Sequence, residues 1–230
     1  NMESGEGTLQ ADLYLGRWPV RTLDDLGTVM QKTLTMTPVD SLFIAADESV
    51  FGTSICSSWP PGLGYHMACY QNVVLNWQEP VSRDDGPYLP TERMLVDLSD
   101  PAQTSALMER ILSNEDALVL NFHGNLDCLG IQAANCVNAA AFQFQHNFPL
   151  LEIAACLVGD FTYPTRSFTE TLLFAANGPA IITSAPVPML FLRELRAGSS
   201  VGEAYWGTAS TWIYWPNPSL LLGDPSLPVF

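Results

Sequence analysis

Lysine is almost missing from this chain: Lys32 is the only one, and 9 basic residues stand against 24 acidic ones for a formal net charge of −15. A surface this acidic repels phosphate backbones and anionic lipid headgroups, so nucleic acid and membrane surfaces are excluded as natural partners. Charge of either sign is sparse, at 14% of residues against 47% hydrophobic, a composition that belongs to a globular chain with a full core. No apolar run reaches the roughly 18 residues of a membrane span, so no membrane insertion is expected. Internal repeats, low-complexity tracts, a glycine-rich phosphate loop and a serine nucleophile elbow are all lacking, which removes solenoids, P-loop enzymes and serine hydrolases of that type. The opening Asn1-Met2-Glu3-Ser4-Gly5-Glu6-Gly7 has neither the basic nor the apolar region of a signal peptide, and it does not begin with Met. The expectation is a processed or excised piece, with residues 1–10 a flexible lead and residues 11–230 one domain.

Strand-like and helix-like patterns alternate along the rest. Short apolar runs near residues 12, 42, 94, 117, 150 and 180 have strand length. Between them, Asp24 to Leu34 reads as a helix with Leu26, Val29 and Met30 on one face. Ser99 or Asp100 before Pro101 caps another that runs to about Leu112. Ser167-Phe168-Thr169-Glu170 is a capping box opening a helix to about Ala176, and Ser200-Val201-Gly202-Glu203 repeats the signature for the last helix. Asp127 to Asn138 reads as loop and Ala139 to Gln143 as a helical turn. This alternation predicts an α/β fold around a mainly parallel sheet.

Chemistry gathers at two strand ends. The run from Pro149 to Ala154 is broken at Cys156, Gly159 and Asp160, and the run Ala117 to Phe122 ends in His123-Gly124-Asn125. In open parallel sheets ligands collect beyond the carboxyl ends of the strands, so neighbouring strands would set this imidazole near this thiol. A cysteine nucleophile needs such a base. Taken singly, a strand-end cysteine is commonly a small buried hydrophobe and a histidine beside glycine a loop residue. His146, which enters a strand and does not leave one, is the weaker base, and His66 reads as a loop residue.

These residues resemble the gingipain-like cysteine peptidases, relatives of caspases and legumains. His123-Gly124 is similar to that family's catalytic His-Gly, and Ala154-Ala155-Cys156-Leu157-Val158-Gly159-Asp160-Phe161 to its nucleophile motif. Asp12-Leu13-Tyr14-Leu15-Gly16-Arg17-Trp18-Pro19-Val20 resembles the Gly-Arg segment near the start of the catalytic subdomain, and Gly223-Asp224-Pro225-Ser226-Leu227 the closing Gly-Asp-Pro segment. The four occur in the family's order. Phe122 stands where the family commonly has a second glycine, and the α/β subdomain that often precedes the Gly-Arg segment is not in this chain. The resemblance implies a caspase-like three-layer sandwich with a mainly parallel central sheet, flanked by further domains in the full-length protein. It implies a cysteine endopeptidase acting on peptide or protein substrates: Cys156 attacks the scissile carbonyl, His123 handles the proton, and the amides of Gly124 and Cys156 form the oxyanion hole. An acid after an early strand would orient the imidazole, and Glu48 matches best by position, with Asp47 beside it.

Two rival functions use the same residues differently. A sortase-like transpeptidase would pass the acyl group to an amine, and a catalytically silent caspase-like domain would keep the fold for binding or structure alone. No cofactor is required by the dyad chemistry, a structural calcium is compatible with the family, and no metal ligands are assigned. The cysteines divide into Cys56 with Cys69, Cys128 with Cys136, and Cys156 alone, which suits two local disulfides and a free thiol in a secreted or cell-surface protein. A zinc site is the weaker reading, since neither pair has the short ligand spacing that zinc favours. Basic-specific relatives hold the substrate side chain with an acid, yet the irregular segment after Glu48 offers none before Glu79. An uncharged residue before the cut is therefore expected, in a pocket lined by Trp59 and by Val187 and Met189.

Overall fold

The computed structural model describes residues 16–47, 91–113, 117–130, 136–155, 157–160, 164–184, 188–210 and 220–229. The expected lead at residues 1–10 and the strand near residue 12 lie outside them. Helix α1 spans Leu23–Thr35, and its start is fixed by a reciprocal box in which Thr22 accepts from the Asp25 amide while the Asp25 carboxylate accepts from the Thr22 amide. Strands β1 (Leu42–Asp47) and β2 (Thr91–Val96) follow, then helix α2 (Pro101–Leu112), capped by Asp100 with proline in the first turn. Strand β3 is Ala117–Asn121, and three two-residue strands, β4 (Gly124–Asn125), β5 (Cys128–Leu129) and β6 (Val137–Asn138), form a small antiparallel sheet after it. A 3-10 turn at Ala139–Ala141 leads to β7 (Phe148–Ala154), α3 (Phe168–Leu173), β8 (Pro179–Ser184), α4 (Pro188–Arg196), α5 (Val201–Ser210) and β9 (Leu220–Leu222).

The main sheet has the order β2-β1-β3-β7-β8-β9, parallel throughout except for β9, which runs antiparallel to β8. Strands β1 and β3 are buried along their whole length, as expected where helices cover both faces of a parallel sheet. Alternate residues feed two cores. Phe43, Ala45, Leu118, Leu120, Leu151 and Ile153 pack with Val29 of α1, Leu107 and Ile111 of α2 and Phe168, Leu172 and Leu173 of α3. Leu42, Ile44, Ala117, Val119, Leu150 and Ile181 pack on the other face with Phe191, Leu192 and Leu195 of α4 and Val201 and Ala204 of α5. The result is the three-layer α/β sandwich that alternation in the sequence predicts. Among the described residues no helix is long and apolar enough to cross a membrane.

Three local expectations need correction. Met30 is 46% exposed, because the inward stripe of α1 runs through Asp25, Val29 and Lys32, and one residue further round the helix turns a side chain away by about 100°. Helix α3 stops at Leu173, well before Ala176. The stretch read as loop between Asp127 and Asn138 contains β5 and β6, whose two-residue length carries no visible alternation. Helix α4 and strand β9 had no sequence signal strong enough to name them.

The two outlying motifs of the sequence meet at the sheet edge. The Arg17 amide donates to the Leu221 carbonyl at 3.2 Å and the Gly223 amide to the Arg17 carbonyl at 3.1 Å, a parallel bridge alongside β9. A Cβ on Gly16 would sit 2.0 Å from the Gly223 carbonyl oxygen, and Gly223 itself has φ 125°. The contact demands glycine at residue 16, and the positive φ and the closeness of Ile181 and Ala180 demand it at residue 223. Beyond it, the Pro225 and Leu227 carbonyls accept from the Gly202 and Val201 amides, so the closing Gly-Asp-Pro segment satisfies the free amides of α5.

Lys32 is the largest break with the apolar pattern. It is 1% exposed, and its ammonium donates to the carbonyls of Leu173 at 2.9 Å, Leu172 at 3.3 Å and Pro179 at 3.5 Å. The charge thereby closes the carboxyl end of α3, where the helix dipole favours a cation, and ties α1 to the turn entering β8. Burial pushes the Lys32 pKa down from 10.5 to about 7. The unfolded chain holds that proton to near 10.5, so between these values the unfolded state binds more protons and the fold gains stability as pH rises. Chemical denaturation should give a higher unfolding free energy at about pH 9 than at about pH 7. Lys32→Met should abolish that difference, and an unchanged pH slope in the variant would refute the assignment.

Candidate active site

The pairing of β3 with β7 decides what can meet at the carboxyl edge of the sheet. Their register runs from Leu118 opposite Leu151 to Asn121 opposite Ala154, and the Phe122 amide extends it by donating to the Ala154 carbonyl at 3.1 Å. His123 follows Asn121 by two residues, and in the sequence Cys156 follows Ala154 by the same step. His123 is half-buried. Cys156 itself lies outside the described residues, as do Glu48, Trp59 and Val187; Met189 belongs to the first turn of α4. Asp47, the alternative to Glu48, ends β1 at this same edge, one residue past the Ala46–Asn121 pair, and is 5% exposed. His146 precedes β7 and is exposed at the opposite edge, roughly 20 Å away along a seven-residue strand.

A stapled hairpin supports the His123 segment. Gly124 and Asn125 pair with Leu129 and Cys128, and the Gly130 amide donates to the His123 carbonyl at 2.8 Å. Cys128 is bridged to Cys136, with Cα atoms 5.5 Å apart, while Cys128 pairs with Asn138 on β6. This is one of the two disulfides expected from spacing; Cys56 and Cys69 lie outside the described residues. Asp127, Cys128 and Cys136 form a cluster of metal-ligating types, but its two sulfurs are bonded to each other. A single carboxylate then remains, far short of the oxygen shell that calcium takes.

The segment after Cys156 is a strained turn. Leu157 has φ 60°, a left-handed conformation that costs a non-glycine residue about 1–2 kcal/mol, and is 60% exposed. The Asp160 amide closes the turn on the Leu157 carbonyl at 3.2 Å. Val158 is buried, and its carbonyl accepts from both the amide and the hydroxyl of Thr169, each at 3.0 Å. One residue earlier, the Phe168 amide donates to the Leu126 carbonyl at 2.6 Å, within the hairpin that follows His123.

Charges hold that first turn of α3 in place. The Ser167 hydroxyl accepts from the Glu170 amide and the Ser167 amide donates to the Glu170 carboxylate. Arg21 reaches the same carboxylate at 2.9 Å, and Arg166 pairs with Asp25 while its guanidinium lies 4.9 Å from the Phe174 ring centre. Burial acts to raise the Asp25 pKa, but hydrogen bonds from the Arg21 amide and Arg166 hold it below the usual carboxylate range. Sequence reasoning saw the capping box and missed its partners, since Arg21 and Glu170 are far apart in the chain.

Two polar groups beneath the edge were also missed. Glu152 is fully buried in the middle of β7 and accepts a hydrogen bond from the Thr183 hydroxyl of β8. Asn121 is 6% exposed, and its side-chain nitrogen has no hydrogen-bond partner among the described residues. Both residues sit at alternate positions leading to the strand ends that precede His123 and Cys156.

A model described as peptidase family C25 matches residues 3–230. Several solved structures share the fold. One is the crystal structure of the Arg-specific cysteine proteinase gingipain R (RgpB), at 14% identity and TM-score 0.61, with 94% of this chain and 55% of that one covered. The second is the complex of Porphyromonas gingivalis RgpB pro- and mature domains, at 16% identity and TM-score 0.62, with 95% and 57% covered. A third, titled as the structure of a protease, is 13% identical with TM-score 0.54 and covers 92% and 54%. The chain therefore spans little more than half the length of these proteins, and the likeness establishes a gingipain-type, caspase-like α/β fold. A search of curated proteins finds no significant sequence match.

The disulfide closes a short loop, and its removal should cost roughly 2–3 kcal/mol through the freedom returned to the unfolded chain. In a Cys128→Ser, Cys136→Ser double variant the unfolding midpoint should fall by several degrees. Equal stability of parent and variant would show that the hairpin does not need its staple.

Proposed function

The chain belongs to peptidase family C25, and on that premise we propose that it is a cysteine endopeptidase in which Cys156 and His123 form the catalytic dyad. The observation that carries this reading is the register of β3 and β7, because Asn121 and Ala154 are paired and each candidate lies two residues beyond its own strand's member of that pair. In this reading the imidazole takes the thiol proton, the thiolate attacks the scissile carbonyl, and the imidazolium returns the proton to the leaving amine. Water then hydrolyses the acyl-enzyme with His123 as base. Amides of Gly124 and Cys156 receive the developing oxyanion, a role supported for Gly124 by the hairpin that fixes its backbone. The acid that orients His123 comes from the end of β1, where Glu48 follows the buried Asp47.

Residues 11–230 would be the catalytic subdomain, with further domains in the full-length protein. The partial coverage of the RgpB structures supports that organisation. A secreted or cell-surface location is supported by the Cys128–Cys136 disulfide, which persists in oxidising compartments.

Cys156→Ala should leave the fold intact and lower peptide hydrolysis at least about a thousandfold, with His123→Ala nearly as damaging. Turnover is measured on a substrate that the parent cleaves, and wild-type rates in the Cys156 variant would rule it out as nucleophile.

Specificity follows from the sequence around the expected pocket of Trp59, Val187 and Met189, since the segment after Glu48 carries no carboxylate before Glu79. An unpaired buried charge costs several kcal/mol, roughly enough to exclude a basic side chain before the cut. A peptide library read by mass spectrometry should show uncharged residues at that position, and an exclusive preference for Arg or Lys would overturn the pocket assignment.

A further inference from the structure

We propose that Thr169 is a positioning residue for the peptidase chemistry, holding the turn that follows Cys156 in register with the hairpin that follows His123. The inference rests on the dyad reading above, and it adds a residue outside both motifs.

Two loops must keep a fixed separation for a thiol and an imidazole to share a proton, yet the strand pairing between them ends at Asn121 and Ala154. Beyond that point, among the described residues, the first turn of α3 joins them. On one side the Phe168 amide grips the Leu126 carbonyl of the His123 hairpin. On the other, the Thr169 amide and hydroxyl both grip the Val158 carbonyl, two residues after Cys156. Adjacent residues on one short helix thus hold both loops, and a shift of either would pass to the other.

The turn would not keep this shape unaided. Leu157 is held at φ 60° although it is not glycine, and its side chain is mostly in solvent, so apolar packing does not hold it there. What restrains it is the closure of the turn on itself through Asp160 and the anchoring of its neighbour Val158 by Thr169. The anchor is stiff. Thr169 is fully buried, its hydroxyl also lies 3.4 Å from the Ser167 hydroxyl, and Glu170 next to it is fixed by Ser167 and Arg21. A buried β-branched side chain, restricted at χ1, suits that task.

The test separates the hydroxyl from the bulk. Thr169→Val keeps the shape and the amide bond to Val158 and removes the hydroxyl bond; Thr169→Ser keeps both bonds. With the parent's best peptide substrate, Thr169→Val should lower kcat about tenfold with KM nearly unchanged, and should slow alkylation of Cys156 by iodoacetamide. Thr169→Ser should restore both within about twofold. Thermal midpoints of all three proteins are measured alongside, so that the kcat change is read at equal folding. Parent-like kcat and Cys156 reactivity in Thr169→Val would overturn the positioning role while leaving the dyad in place. Equal losses in the Ser and Val variants would also overturn it, by pointing to packing. If the parent itself neither cleaves peptides nor reacts at Cys156, the dyad reading fails and the role of Thr169 falls with it.

Discussion

The parallel pairing of β3 with β7, buried on both faces, is the constraint from which the candidate site follows. Side chains alternate along a strand, so a slip of one residue would send Leu118, Leu120, Leu151 and Ile153 to the wrong core. Each such side chain contributes about 1.5–3 kcal/mol of burial, which makes the register expensive to change. The positions two residues beyond the last pair inherit that register. The apolar core thus sets where the strands that lead to the candidate site end, and Phe122 and Val158, beside the two candidate loops, belong to that core themselves.

Much of this was readable in the chain because the signals were local. Runs such as those near residue 42 and from Ala117 to Phe122 are apolar without alternation, which suits a doubly covered strand, and the caps at Asp100, Ser167 and Ser200 marked helix starts. The ends of β3 and β7 pointed to His123 and Cys156 before any geometry was known. What was not readable depends on partners distant in sequence. Nothing around Lys32 says that its ammonium will end a helix some 140 residues away, and nothing around Thr169 says that Val158 is its acceptor. The small sheet after His123 was hidden by the shortness of its strands. The Gly16 and Gly223 motifs were recognised, but that Gly16 lies against the Gly223 carbonyl, and Gly223 against β8 at positive φ, needed the structure.

Polar groups are placed where they connect elements. Lys32 joins α1 to the end of α3, Arg21 and Arg166 join α1 to its beginning, and Thr169 carries the connection to the turn after Cys156. All three links converge on a helix of six residues. So short a helix has little stability of its own, and its rigidity is supplied by neighbours. The strain at Leu157 is tolerated on the same account, since a left-handed residue persists only where its surroundings determine it.

The central claim, that two strand ends deliver an imidazole to a thiol, is tested most directly by the rate at which iodoacetamide alkylates Cys156 as a function of pH. In the parent the rate should rise with an apparent pKa well below the ordinary thiol value of about 8.5, because a neighbouring imidazolium stabilises the thiolate. In His123→Ala the profile should move back toward about 8.5. Superimposable profiles for the two proteins would contradict the claim, for they would show a thiol that does not sense the histidine.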